Sequence, residues 1–341
     1  MLQVDGSYGE GGGQILRTAV AFSALTKKPV KITNIRANRP NPGIRPQHFV
    51  AIQSIKELCS AEVKGLEIGS SHLTFAPGEI KGGRYKFDIG TAGSITLVFQ
   101  AYLLSILDTA ESVTLRVTGG SDTKWSPSWD YFQYVFLPLV QKAGLPVKAR
   151  LIRRGYYPKG GGEAELTIEP SRYVKPLQLD KKQEFSEVNG IIHLANLPDH
   201  IGTRMKHAAI KTLIKKNLKA SIEIEKTTSL SSGTGITLWV ESEDTVLGST
   251  VLGEKGLPAE EIGGNAAVEL ISEIEAGSTL DVHAFDQLLP YMGVARERGM
   301  SSCIVRELSG HARTNIWLIK QFFNVEFESK MSGDTVNIMV R

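Results

Sequence analysis

The chain has 341 residues, 41% of them hydrophobic and 22% charged, enough for two domains or for one large domain carrying an insertion. No apolar run approaches the roughly 20 residues that span a bilayer, and Met1 to Gly13 is polar and glycine-rich where a secretory signal needs a basic start and an apolar core, so a cytosolic protein without membrane partners is expected. The net charge of +3 is compatible with an anionic substrate, no basic stripe of a non-specific nucleic-acid binder is visible, and Cys59 and Cys303 are too few for a disulfide framework or a zinc site.

Leu2 to Asp5 alternates like a short strand and runs into a glycine-rich loop, Gly6 to Gln14, after which Ile15, Ala19 and Phe22 recur at helical spacing. Lys31 to Ile35 reads as the next strand and Arg36 to His48 as a long loop. Phe49, Ile52, Ile55 and Cys59 then mark a second helix before two strands between Ala61 and Phe75. The pattern returns. Tyr85 to Ile89 is a strand, Gly90 to Ser94 its loop and Ile95 to Leu107 an almost wholly apolar helix. Val113 to Thr118 follows as a strand, then a loop and a helix with Phe132, Val135, Phe136, Leu139 and Val140 on its buried side. Val147 to Ile152 and Ala164 to Ile168 flank the loop Arg153 to Gly162.

From about Tyr173 to Ser278 the pattern breaks. Strands at Ile191–Ala195, Ser221–Glu225 and Ile236–Glu241, with helices near Met205–Leu218 and Ala259–Ile274, predict a smaller inserted α/β domain at residues 181–277. The third copy opens with a helix at His283 to Met292, passes a strand at Ser302 to Leu308 and a loop holding His311, and ends in a helix at Ile316 to Phe323 and a hairpin about Ser332-Gly333-Asp334. Glu10 and Arg36, Gly93 and Gly119, and His283 and Ser309 are each 26 positions apart. Three βαβαββ units spanning 1–180 and 278–341, a mixed α/β fold, are the simplest account.

A strand, a glycine loop and a helix start together present free N–H groups and the positive end of a helix dipole. Such a loop serves packing or phosphate binding. Here it adds Glu10, a carboxylate placed to bridge a divalent metal to a phosphate, and Arg17 one turn into the helix, in a spacing that is neither the P-loop's nor the dinucleotide fingerprint. The next loop holds Arg36, Arg39 and Arg45 among three prolines, either a solvated basic loop or a stiff phosphate clamp, and Arg17 converging from the first helix favours the clamp. A neutral His311, with one ring nitrogen fixed by a hydrogen bond, has the lone pair to take up a phosphoryl or nucleotidyl group. His283 and Asp286 would shape a nucleotide pocket, Asp286 being open to a second reading as a helix-start residue. Ser/His/Asp and HExxH patterns are missing, and His72, His193, His200 and His207 sit in surroundings that assign them no role.

DGSYGEGGGQILR, the RANRPNPG loop, GTAGS followed by Gln100, RRGYYPKGGG, HAFDQ and GHARTN occur in one order along the chain, and together it resembles the RNA 3′-terminal phosphate cyclases. The resemblance implies three repeats of the folding unit shared with enolpyruvyl transferases, and an activity in which ATP adenylylates a histidine, AMP passes to an RNA 3′-terminal phosphate, and the neighbouring 2′-hydroxyl closes a 2′,3′-cyclic phosphate. It implies His311 as the AMP carrier, Glu10 at a divalent metal (Mg2+ or Mn2+), and Arg17, Arg36, Arg39 and Gln47 on the phosphate side. Gln100 and the run His283, Ala284, Phe285, Asp286 and Gln287 fall on the nucleotide side. Ala284 and Phe285 depart from the aliphatic-alanine pair expected there, and Trp125 and Trp129 make the loop Lys124 to Asp130 more aromatic than expected, opening base stacking as a role.

Two other readings stand beside this one. A non-catalytic family member acting in RNA binding or ribosome assembly would lack the nucleophile, and His311, Glu10 and the arginines argue against it. An enolpyruvyl transferase would have two larger repeat domains and no need of a nucleophilic histidine.

Overall fold

The structure is a computed structural model in which every residue except Asp108 and Arg172 is described. Its first unit runs β1 (Leu2–Asp5), α1 (Gly13–Thr26), β2 (Val30–Thr33), α2 (Pro46–Leu58), β3 (Glu62–Lys64) and β4 (Leu73–Ala76). The second is β5 (Gly83–Asp88), α3 (Ile95–Ser105), β6 (Val113–Gly119), α4 (Trp129–Tyr131), a π-helical turn at Phe132–Phe136 leading into α5 (Leu137–Lys142), β7 (Val147–Arg153) and β8 (Gly162–Ile168). The third begins with β9 (Gln178–Leu179). The chain then leaves it for β10 (Glu187–Ala195), α6 (Asp199–Ile214), β11 (Lys219–Thr227), β12 (Gly233–Glu241), β13 (Val246–Leu252) and α7 (Ala259–Ala276). It returns through α8 (Val282–Ala295), β14 (Ser301–Val305), α9 (Gly310–Phe322), β15 (Phe327–Ser332) and β16 (Thr335–Val340).

The three units share one topology. Their sheets have the orders β1-β2-β4-β3, β5-β6-β8-β7 and β9-β14-β16-β15, the first two strands of each parallel and the remaining pairs antiparallel. The third unit therefore has its opening strand, which the sequence reading missed because two residues carry no alternation, and the insertion interrupts its first strand-to-helix connection. A strand in a parallel pair needs a crossover, and here the crossover was enlarged. In each unit a helix packs on the unit's own sheet, α1 on β2 and β4, α3 on β6 and β8, and α8 on β14. α1 meets α2, α3 and α9, so the helices form a shared interior. α3 is apolar on nearly every side, as a helix buried all round must be, and its two partly exposed interior residues are Leu97 and Gln100. No helix among the described residues is long and apolar enough to cross a membrane.

The inserted segment forms its own sheet, β11-β10-β12-β13, with α6 and α7 packed together over a separate core that includes Val188, Ile192, Met205, Leu213, Leu238 and Leu270. Its fourth strand, β13, was not expected, because VLGSTVL carries Gly248 and little alternation. Helix α6 starts at Asp199 instead of near Met205, its first turn being polar apart from Ile201.

The join between insertion and second unit is ionic. Arg154, 2% exposed, places its guanidinium 3.2 Å from Asp122 Oδ2, 2.9 Å from Asp130 Oδ1 and 2.6 Å from Glu225 Oε2 of β11. His193, which the sequence left without a role, is fully buried, with Nδ1 2.7 Å from the Tyr156 hydroxyl. Burial, opposed by Arg154, pushes the Asp130 carboxyl up to about 6. Asp122, Asp130 and His193 bring potential ligand atoms within 4.8 Å of one another, but the Arg154 guanidinium already supplies the positive charge among them. The Arg154–Tyr156 part of RRGYYPKGGG thus clasps the insertion.

Candidate active site

The connections that follow the parallel strands β1, β2, β5 and β14 all lead into helix starts, and the insertion fills the same place after β9. Helix N-termini suit anions, so this edge of the fold is where phosphate would be held. Close backbone approach makes it possible. A Cβ on Gly13 would lie 2.0 Å from His48 Nε2 and one on Gly310 2.3 Å from Glu10 Oε1, so glycine at both positions lets the first loop lie against α2 and α9. Tyr8 stacks on Trp317 of α9, ring centroids 3.9 Å apart, pinning the same loop from its other side.

His311 is not in a loop, as expected from the sequence, but in the first turn of α9. The apolar run begins only at Ile316, yet Ser309 is the N-cap: its hydroxyl accepts from the Ala312 N–H and donates to Asp286 Oδ1 at 2.6 Å. The imidazole is half-exposed. Its Nδ1 lies 2.6 Å from Gln14 Oε1 and 3.2 Å from Glu10 Oε2. Both neighbours accept, which places the ring proton on Nδ1 and the lone pair on Nε2. Partial burial holds the imidazole below its usual value of 6.5, helped by Arg39, Arg17 and His283 and opposed by Glu10. His311 is therefore neutral near neutral pH.

His311 stands on the wall of a cleft of about 450 Å³. Leu97, Ala101 and Leu104 of α3, Pro127, Tyr131, and Pro290 and Tyr291 of α8 give it an apolar side; Gln14, Arg17, Gln100, His283, Asp286, Gln287 and Asn315 give it a polar one. Gln100 donates to the side chain of Gln287, which donates to the His283 carbonyl at 2.8 Å, so α3 and α8 are tied across the cleft. Burial pushes the Asp286 carboxyl up to about 7 despite the Ser309 hydrogen bond. Arg17 has no ion pair among the described residues, and burial, with Arg36 nearby, lowers it to about 10. Glu10 is 3.5 Å from Arg39.

The structure thus brings His311, Glu10, Arg17, Arg39, Gln100, His283, Asp286 and Gln287 to one region. Five expected residues are elsewhere employed. Ala284 and Phe285 are fully buried in the main core and do not line the cleft, which His283, Asp286, Gln287 and Pro290 of the same helix do. Arg36, with φ at +54°, donates to the carbonyls of Asn41 and Gly43 and stiffens its own loop. Gln47 accepts from the Ser94 N–H at 3.0 Å, joining the starts of α2 and α3. Trp129 is 4% exposed and packs on Phe99 and Phe132, so it offers no base a stacking face. Asp286 sits in the second turn of α8; the helix-start residue is Asp281, whose Oδ1 accepts from the N–H groups of His283 and Ala284.

Sequence reasoning passed over Gln14, the closer partner of His311 Nδ1, and Asp281, which also accepts from the Tyr131 hydroxyl at 2.7 Å and the Gly248 N–H at 3.0 Å. Asp281 two residues before HAFDQ was readable as an N-cap. Gln14 carried no signal of its own, since its partner lies 297 positions away.

The model of the family described as RNA 3′-terminal phosphate cyclase matches residues 8–329. The chain is 45% identical over 330 residues to the RNA 3′-terminal phosphate cyclase of Pyrococcus furiosus, covering 97% of this chain and 95% of that protein. It is 44% identical to the one from Methanosarcina mazei, with 97% of both covered, and 41% identical to the one from Nitrosospira multiformis, covering 100% of this chain and 97% of that protein. With a family match and identities of this order along almost its whole length, the chain belongs to the RNA 3′-terminal phosphate cyclase family.

Proposed function

We propose that this protein is an ATP-dependent ligase of the cytoplasm that converts an RNA 3′-terminal phosphate to a 2′,3′-cyclic phosphate, through AMP carried on His311. The observation that carries the reading is the imidazole itself: neutral, with Nδ1–H held by Gln14 and Glu10 and the Nε2 lone pair left for attack, at a cleft of nucleotide size. Nε2 attacks the α-phosphorus of ATP, an Nε2–P bond forms, and the bond to the pyrophosphate oxygen breaks with the electron pair leaving on pyrophosphate. The ring becomes cationic as this happens, and the Glu10 carboxylate beside Nδ1 offsets that charge.

An oxygen of the RNA 3′-phosphate then displaces Nε2 from the α-phosphorus, returning the lone pair to the ring and leaving RNA(3′)pp(5′)A. In the last step the 2′-oxygen attacks the 3′-phosphorus as its proton passes to solvent, and the bond to the bridging oxygen breaks with the electron pair leaving on AMP. Adenylylation has replaced a poor leaving group by a good one, and the ribose already holds the 2′-oxygen next to phosphorus. Arg17 and Arg39 face the phosphates, and Gln100, His283, Asp286 and Gln287 hold the nucleoside. Glu10, a hard oxygen donor beside the phosphate-side Arg39, is the residue that would hold a divalent metal. Bound there, Mg2+ or Mn2+ would neutralise charge on the triphosphate.

Incubation with α-labelled ATP and Mg2+ or Mn2+ is expected to leave an acid-labile, alkali-stable AMP adduct that disappears in His311→Ala. Labelling that survives the substitution would remove His311 from the reaction, and a wild-type protein that takes no label and leaves RNA 3′-phosphate uncyclised would favour a binding role.

A further inference from the structure

Trp125 lines the cleft, and the chemistry above does not use it. It lies on the rim, 96% exposed, with its backbone in the left-handed region at φ +60°, a conformation that bulky residues rarely adopt. Its neighbours are fixed. The Ser126 hydroxyl donates to the Thr123 carbonyl at 2.8 Å, Thr96 donates to the Pro127 carbonyl at 2.9 Å, and Lys124 pairs with Glu254 at 2.5 Å. The other three tryptophans each have an aromatic partner: Trp129 with Phe99, Trp239 with Tyr134 and Trp317 with Tyr8. Trp125 has none among the described residues. A braced turn therefore holds an unpartnered indole in water, next to the nucleophile's cleft.

Resting on the cyclase reading, we propose that Trp125 is the stacking platform for the base of the RNA's 3′-terminal nucleotide. Leu97, Ala101, Pro127 and Pro290 offer the adenine of ATP apolar walls of its own, and a base enclosed by them leaves most of an indole that is 96% exposed uncovered. The RNA end must cross the rim to bring its phosphate to His311. Every base offers a π-face, so such a platform holds the terminus with little preference for sequence.

The test compares wild type, Trp125→Ala and Trp125→Phe in two reactions: adduct formation against ATP concentration without RNA, and cyclisation against concentration of an RNA 3′-phosphate whose terminal nucleotide is either intact or abasic. Trp125→Ala is expected to leave adduct formation within about two-fold and to raise the KM for intact RNA roughly ten-fold, the scale of one lost base–aromatic stack. Wild type should suffer the same loss with the abasic end, the two losses should not add, and Trp125→Phe should recover most of the binding. An unchanged KM for RNA overturns the proposal, as do additive losses. So does a KM for ATP that rises as much as that for RNA, which would put the indole over adenine. Wild type that forms no adduct and cyclises nothing overturns the cyclase reading beneath it, a result that needs no variant to detect.

Discussion

At His311 two influences on the imidazole oppose one another. Partial burial, with Arg39, Arg17 and His283, disfavours the proton, whereas Glu10 at 3.2 Å favours it, and burial is the larger. The expected result of an NMR titration is a midpoint below 6.5 in the wild type and lower still in Glu10→Gln; a wild-type midpoint above 6.5 would mean that the carboxylate wins. Asp286 shows the same physics with the opposite sign. Its carboxyl, raised to about 7 from 3.8, binds a proton more tightly folded than unfolded, so its contribution to stability is complete below 3.8 and is lost as pH rises through about 7. Asp286→Asn has no such loss, and in thermal unfolding its melting temperature should gain on that of wild type between about pH 5 and pH 8. Residue types alone disclosed His311, Glu10 and the arginines as candidates, whereas the placement of the ring proton came from Gln14, which no local pattern marked.

Helix α9 shows why the element's start matters more than its apolar stripe. Sequence periodicity put the helix at Ile316, but the Ser309 cap begins it at Gly310 and so fixes the His311 side chain against α1 and the first loop. Ser309→Ala removes the cap and the donor to Asp286; it should cost about 1 kcal/mol of stability in denaturant unfolding and slow adduct formation with His311 intact. Gly310→Ala separates the two effects. Alanine is the better helix former by up to about 1 kcal/mol, so stability should hold or rise, while a Cβ 2.3 Å from Glu10 Oε1 displaces that carboxylate and should reduce adduct formation several-fold. Equal activity in Gly310→Ala would show that Glu10 has room to move without consequence.

Over the whole molecule, three copies of one unit supply helix starts to a common edge, and the inserted segment is clasped to the second unit by the buried charges around Arg154. Arg154→Met strands Asp122, Asp130 and Glu225 without their cation, a change that costs about 3–5 kcal/mol in buried pairs. The loss should appear as a lower melting temperature, smaller at about pH 5 than at pH 8, because Asp130, already raised to about 6 beside Arg154, rises further without it and takes up a proton; a variant as stable as wild type would show the cluster to be replaceable by packing. The repeat outline was legible because strand, loop and helix recur at fixed separations, and backbone periodicity is a local property. RELSGHARTN and GEGGGQ likewise marked His311 and Glu10 as candidates, since histidine, carboxylate and glycine loop are local too. The two-residue strand β9, the burial of Ala284, Phe285 and Trp129, and the self-bonding of Arg36 were decided only by the tertiary structure. The Arg36 bonds depend on how its own loop turns and the others on which distant residue fills the neighbouring space, and a hydrogen bond such as that between His311 and Gln14 exists only once 297 positions of chain have been folded between them.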